Sequence, residues 1–288
     1  MIISLTNAIA MPLSCLGLAK RFIDLVMQGE EFYALDDIYD VFSGQQKKRL
    51  TLLLSGYGCA WGKCTVCGFG KKLAEIHQKY PGLLRLDHGR LRLGLPRIDD
   101  VADLVAFYRM AVMLNVKQQP QWLYIYNGGS FLNADEIPLT AQIAIARLVG
   151  QHKSLDSLFV ESRPEFVSSL SLARLTDGLK GKTLEIGIGL EAITDRVREV
   201  LIRKGFSRDD YGRAVGVCKN RGVKVLAYVF LKPLGLTEAE SIDEAVRTIK
   251  YAFEAGTDEV SLSCAFVQEG TVMYEAFLKE GEEKFIPP

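Results

Sequence analysis

The chain has 288 residues, 48% hydrophobic and 24% charged, with Lys+Arg and Asp+Glu both at 35 and a formal net charge of zero. This is the composition of an ordinary soluble globular chain, long enough for one large domain or two small ones. A balanced charge excludes a global electrostatic pull toward nucleic acid or a membrane surface, though not a local basic face.

The apolar start, MIISLTNAIAMPLSCLGLA, has no basic n-region and is broken by Asn7, Pro12 and Ser14. It reads as neither a signal peptide nor a membrane span. A helical N-terminal extension is expected over 1–47, with Cys15 as a small apolar residue in it. Without a secretory signal the default setting is a reducing cytoplasm, where disulfides are rare. The first buried strand is Leu50–Leu54, broken by Ser55, Gly56 and Gly58. A glycine-rich loop follows, GYGCAWGKCTVCGFGKK, holding Cys59, Cys64 and Cys67. Residues 71–98 form a long insert carrying His77 and His88, the kind of loop that is usually functional.

From there apolar runs and amphipathic stretches alternate. The strands are Trp122–Tyr126, Ser157–Val160, Leu184–Leu190, Val223–Leu231 and Glu259–Phe266. The helices are Asp99–Leu114, Leu139–Gly150, Pro164–Leu179, Thr194–Lys204, Asp209–Gly222 and Glu238–Gly256, and 269–288 is a C-terminal helix and tail. Strand then helix, six times, with nearly continuous apolar strands, predicts an α/β fold with a parallel sheet covered by helices. Right-handed crossovers curve such a sheet into a partial (β/α)6 barrel over 48–268, and a doubly wound open sheet is the alternative.

The cysteine triplet is the most informative feature. A thiolate is a soft ligand, and three on one loop suit an iron–sulfur cluster or zinc. A closed structural site wants four ligands, whereas a site that does chemistry keeps one position open. A structural zinc site with Cys218, Cys264 or a histidine as fourth ligand stays open, although Cys218 and Cys264 read as small buried core residues of a helix and a strand. A cluster-bearing electron-transfer module and a zinc-stabilised nucleic-acid binder are further readings. The stretch Arg196–Arg221 is basic, with Arg196, Arg198, Arg203, Lys204, Arg208, Arg213, Lys219 and Arg221; it fits phosphates, and fits a solvated helix face slightly better.

Several motifs fall in order at strand ends: the cysteine loop, NGGSF at Asn127–Phe131, VESRPEF at Val160–Phe166, IGIGLEA at Ile186–Ala192 with VREVLIRKGFSRDDY after it, and FLKPLGLTEAE from Phe230. Together they resemble the radical S-adenosylmethionine (radical SAM) superfamily, in particular the Elongator catalytic subunit group and the radical SAM subunit of the archaeosine synthase family. Two details depart from the commonest pattern: four residues separate Cys59 from Cys64 rather than three, and Val66 stands where the residue before the last cysteine is often aromatic.

The resemblance implies that Cys59, Cys64 and Cys67 ligate a [4Fe–4S] cluster whose fourth iron takes SAM. It implies that Gly128, Gly129 and Ser130 meet the methionine moiety, and that Glu161, Arg163, Gly189 and Glu191 hold ribose, carboxylate or substrate. It also implies an electron donor such as ferredoxin or flavodoxin, a tRNA substrate, a lysine-transferring partner subunit, and no membrane. No role is implied for Lys232.

Overall fold

The computed structural model describes residues 33–40, 43–53, 59–68, 84–87, 90–93, 118–264 and 267–281. Its elements in chain order are β1 (Tyr33–Asp40), β2 (Gln45–Leu53), β3 (Leu84–Asp87), β4 (Arg90–Leu93), β5 (Trp122–Tyr126), α1 (Leu139–Gln151) and β6 (Ser157–Glu161). A 3-10 turn (Pro164–Phe166), α2 (Ser169–Leu179), β7 (Thr183–Glu191), a π-helical turn (Arg196–Ile202) and α3 (Arg208–Lys219) come next. The chain closes with β8 (Lys224–Leu231), α4 (Glu238–Glu254), β9 (Glu259–Cys264) and α5 (Val272–Glu280). The sheet has seven strands in the order β1-β2-β5-β6-β7-β8-β9. From β2 onward every neighbour pair is parallel. This is the six-stranded parallel half-barrel the periodicity predicts, with one antiparallel strand added at its edge.

That added strand corrects the expected helical extension over 1–47. Residues 33–40 are β1, and β2 begins at Gln45. Charge explains the pairing. The register sets Asp36 opposite Arg49 and Asp37 opposite Lys48, Arg49 Nε donates to Asp36 at 3.0 Å, and Lys48 Nζ donates to Asp37 at 3.2 Å. Opposite charges directly across an antiparallel pair favour that register. The Ser43–Gly44 turn joins the strands, with Gly44 N–H donating to the Asp40 carbonyl at 2.8 Å. Residues 1–32, with Cys15, lie outside the described residues, as do His77, His88 and the helix expected at Asp99–Leu114. The described part of the 71–98 insert is the antiparallel hairpin β3–β4.

Alternation sorts the strand residues. Leu50, Leu52, Leu123, Ile125, Leu158, Val160, Ile186, Ile188, Val225 and Ala227 join the core shared with the helices. The residues between them, among them Tyr124, Tyr126, Phe159, Glu161, Glu185 and Tyr228, face the lumen, because successive side chains on a strand point to opposite faces. Helices α2, α3 and α4 each begin with a reciprocal capping box, at Ser168, Ser207 and Thr237. These caps end the βα loops sharply and hold the loops at the carboxyl end of the sheet. Among the described residues no helix is long and apolar enough to cross a membrane.

Candidate functional site

The cysteine loop follows β2 and returns to the sheet through one carboxylate, Glu136. This buried group accepts hydrogen bonds from Ala60 N–H at 2.9 Å and Asn133 Nδ2 at 3.0 Å, and a third from Ser130 N–H. Ala60 belongs to the cysteine loop, whereas Ser130 and Asn133 belong to the turn after β5. Glu136 therefore clasps the two loops together. The fit is tight: a Cβ on Gly129 would lie 2.0 Å from Glu136 Oε2 and 3.1 Å from the Cys59 backbone, so only glycine lets these backbones approach. Burial pushes the Glu136 carboxyl up, opposed by its three donors.

Replacing Glu136 with Gln removes one acceptor and points an N–H₂ at a donor. A loss of about 1–3 kcal/mol is expected, the usual cost of an unpaired buried group. Denaturant unfolding and amide exchange check it. Faster exchange at Ala60 and Ser130 supports the clasp, and unchanged exchange at both refutes it.

The loop's middle is held by the segment after β7. Trp61, which lies in the long gap between Cys59 and Cys64, donates its indole N–H to the Arg203 carbonyl at 2.7 Å. Its ring lies over Gly205, where a Cβ would meet Trp61 at 2.1 Å and where φ is +68°. Lys63 and Arg163 stack on the same ring at 4.7 and 5.1 Å. Thr65 donates its hydroxyl to the Leu201 carbonyl at 2.6 Å and its N–H to the Ile202 carbonyl at 2.9 Å. At the far end Gly68 N–H donates to Gln268 at 2.6 Å. The four-residue gap thus has a structural use, because it carries the tryptophan that docks on the Lys204–Phe206 turn.

That turn is built around Arg198, which is 0% exposed. Its guanidinium donates to the Phe206 carbonyl at 3.0 Å, the Ile193 carbonyl at 3.0 Å and the Ala192 carbonyl at 3.2 Å, and pairs with Asp195 and Glu199. Part of the basic stretch is therefore bracing, with Arg198 buried and Lys204 half-buried, while Arg196, Arg203, Arg208, Arg213, Lys219 and Arg221 are exposed. Lys204 pairs with Glu191 at 3.0 Å, Lys219 pairs with Asp258 at 2.8 Å, and Arg213 donates to the Pro164 carbonyl at 2.9 Å. Among the candidate phosphate contacts, Arg198 is ruled out by burial.

The other expected site residues fall at the same end of the sheet. Cys59 and Cys64 are half-buried and Cys67 is exposed. Among the described residues no three potential ligands gather closely enough to hold a metal ion, so the three thiols share a loop but do not converge on a point. Ligation itself draws such thiolates together. Burial pushes the Cys64 thiol up, while the nearby Lys204 and Arg163 charges pull it down. Ser130 Oγ accepts from Arg163 N–H at 3.2 Å, and Phe131 N–H donates to the Glu161 carbonyl at 2.8 Å, which joins the Gly128–Ser130 turn to the end of β6.

Arg163 pairs with Glu165 at 2.5 Å. Glu191 sits at a bulge with φ +62°, a strained backbone of the kind found at functional sites, and the space over Gly189 is taken by the Glu191–Lys204 pair. Lys232, with φ +66°, receives no further role. The expectation for the other cysteines holds in part: Cys218 is buried, its thiol pushed up to about 12 by burial, whereas Cys264 is exposed at the end of β9 rather than in the core.

The donor set and its surroundings fit the cofactors the motifs imply. Three soft thiols lie on one loop with Lys204 and Arg163 near Cys64, the half-buried Gly128–Gly129 pair brings its backbone up to that loop, and Asn127, 1% exposed, keeps both side-chain polar atoms without a partner. A buried amide in that state calls for a polar partner, whether water or a ligand. Glu136, Trp61, Arg198 and the lumen tyrosines were not singled out by motif. Only Trp61 left a signal, as the large aromatic in the long gap.

No protein-family model matches the chain. It is 30% identical over 253 residues to an archaeosine synthase subunit beta of Methanosarcina acetivorans, covering 86% of this chain and 66% of that one. It is 30% identical over 164 residues to the archaeosine synthase subunit beta of Thermococcus kodakarensis, covering 57% and 49%. The chain thus spans about two thirds or less of these relatives' length. Among solved structures it resembles a radical S-adenosylmethionine methyltransferase of Kitasatospora setae with TM-score 0.50 and 17% identity, covering 80% of this chain and 36% of that one. That likeness is one of fold.

Proposed function

We propose, since this chain belongs to the radical SAM superfamily, that it is an enzyme binding a [4Fe–4S] cluster through Cys59, Cys64 and Cys67 and SAM against the Gly128–Ser130 turn. When bound, these groups supply a one-electron reductive cleavage of SAM and a radical that takes hydrogen from a substrate carbon. The chain's own residues orient and enclose. Glu136 and Gly129 hold the cysteine loop against the turn after β5. Trp61, Thr65 and Gln268 fix the loop's other contacts, and Lys204 and Arg163 place positive charge beside Cys64. The observation that carries this reading is the clasp: one buried carboxylate joins the three-cysteine loop to the glycine turn at the carboxyl end of the strands, where parallel α/β sheets bind ligands.

The substrate reading is finer. Likeness to the archaeosine synthase beta subunits supports a tRNA nucleoside as substrate, with C–N cleavage of a lysine adduct on a 7-deazaguanine. A lysine-transferring partner subunit and a ferredoxin- or flavodoxin-type donor complete the reading. Anaerobic reconstitution tests the enzyme. A [4Fe–4S] EPR signal that changes on adding SAM, together with 5′-deoxyadenosine, is the expected result. A colourless protein that retains zinc and forms no 5′-deoxyadenosine would sink it. Repeating the assay with tRNA from a modification-deficient strain tests the substrate, and no stimulation together with no tRNA product counts against it.

A further inference from the structure

The lumen beneath the cysteine loop has a chemistry of its own. Tyr126 of β5, Phe159 and Glu161 of β6, and Tyr228 of β8 line one spot. Tyr126 and Phe159 have ring centroids 5.8 Å apart. Phe159 and Tyr228 both close over Gly187, where a Cβ would lie 2.6 and 3.1 Å from them. The Tyr228 hydroxyl donates to the Glu161 carboxylate and is hydrogen-bonded to Tyr126. Two phenol oxygens and a carboxylate therefore meet among three aromatic rings.

Among the described residues no cation pairs with the Glu161 carboxylate, although the Lys204 charge acts on it. Lys204 is held by Glu191 at 3.0 Å, Arg163 by Glu165 at 2.5 Å and Arg49 by Asp36 at 3.0 Å. Among the described residues no ion pair to Glu161 forms. Glu161 is half-buried, and a carboxylate partly withdrawn from water with no paired cation is stabilised by a ligand cation. Aromatic faces with one carboxylate attract an ammonium group, whose N–H donors suit a carboxylate flanked by phenol oxygens.

We propose that Tyr126, Phe159, Glu161 and Tyr228 form a cup that binds an alkylammonium group of the substrate. The assignment of that ammonium to the substrate rests on the enzyme reading above. Glu161 is the specificity-determining residue, because a hydroxyl or methyl at the same place leaves its charge unanswered. Burial pushes the Glu161 carboxyl up to about 7, with Tyr228 and Lys204 opposing and Glu191 reinforcing the shift; Tyr126 completes the titratable groups facing it, and Arg49 and Glu185 act in turn on Tyr126. Below that pH the carboxyl is protonated and the attraction is lost, whereas an alkylammonium stays charged to about pH 10. Binding should therefore strengthen as pH rises through about 7.

The test uses the full chain without cofactors and compares n-pentylamine with 1-pentanol by saturation-transfer NMR and titration calorimetry. Wild type should prefer the amine at about pH 8 and lose the preference at about pH 5.5. Glu161→Gln should weaken amine binding roughly tenfold or more, the worth of a charge-assisted contact, and leave 1-pentanol unchanged. The wild-type pH series gives the same answer should the variant fold poorly. Equal binding of the two probes by wild type at pH 8, or amine binding by a folded Glu161→Gln equal to wild type, overturns the cup. SAM cleavage with no amine preference sinks the cup alone; an amine preference without SAM cleavage sinks the enzyme reading and leaves the cup as an ammonium site.

Discussion

Chains carrying Cys59→Ala, Cys64→Ala or Cys67→Ala are expected to lose the cluster and to form 5′-deoxyadenosine more than about 100-fold more slowly. Changes in the groups that merely orient metal ligands already cost 10- to 100-fold, so loss of a ligand exceeds that. The loop's backbone is held by other groups: Glu136 on Ala60, the Leu201 and Ile202 carbonyls on Thr65, and Gln268 on Gly68. Each variant should therefore unfold at the wild-type temperature before reconstitution and differ only in iron uptake. Cys218→Ala is the contrast, since Cys218 lies in the core and not in the loop, and it should take up iron as wild type does. Iron content and SAM turnover measured side by side settle the matter. Wild-type values in all three loop variants would remove the cysteines from the site.

The second large effect is on stability. Arg198→Leu should cost about 3–5 kcal/mol, the range seen when one member of a buried ionic network is removed. The Phe206, Ala192 and Ile193 carbonyls lose their donor, and the π-helical turn loses the group that ties it to the Lys204–Phe206 turn. Because the guanidinium is 0% exposed, added salt should change this cost little. Trp61 docks on the same turn, so faster amide exchange at Thr65 should accompany the loss. A midpoint shift in urea corresponding to less than about 1 kcal/mol would show that the turn is held by other contacts.

The pattern of apolar runs was enough for the six parallel strands β2 and β5 to β9, though not for the β3–β4 hairpin in the insert, because a strand buried on both faces must be apolar along its length and must alternate with helices that cover it. β1 escaped that reading. YALDDIYD has no apolar stripe at period 2, and its pairing comes from acids that meet Lys48 and Arg49 only once β2 is in place. Arg198 escaped in the opposite direction. In the chain it stands among exposed-looking basic residues, and only the folded turn, by aiming three carbonyls at one point, makes it internal.

The same division runs through the site. Three thiols within one short glycine loop are soft potential ligands whatever the fold, since ligand type and spacing are properties of the chain itself. Likewise the order of motifs at strand ends carries the family. Glu136 as a clasp, Trp61 as an anchor and the Tyr126–Phe159–Glu161–Tyr228 cup are different, for each joins residues distant in sequence. Their effect depends on desolvation and on distances of about 3 Å, which exist only after strands from separate parts of the chain have been set side by side. The sequence alone determined which ligand types the loop carries and the class of fold. Tertiary structure decided which charges are spent on bracing, which carboxylate is left without an ion pair, and which aromatic rings surround it.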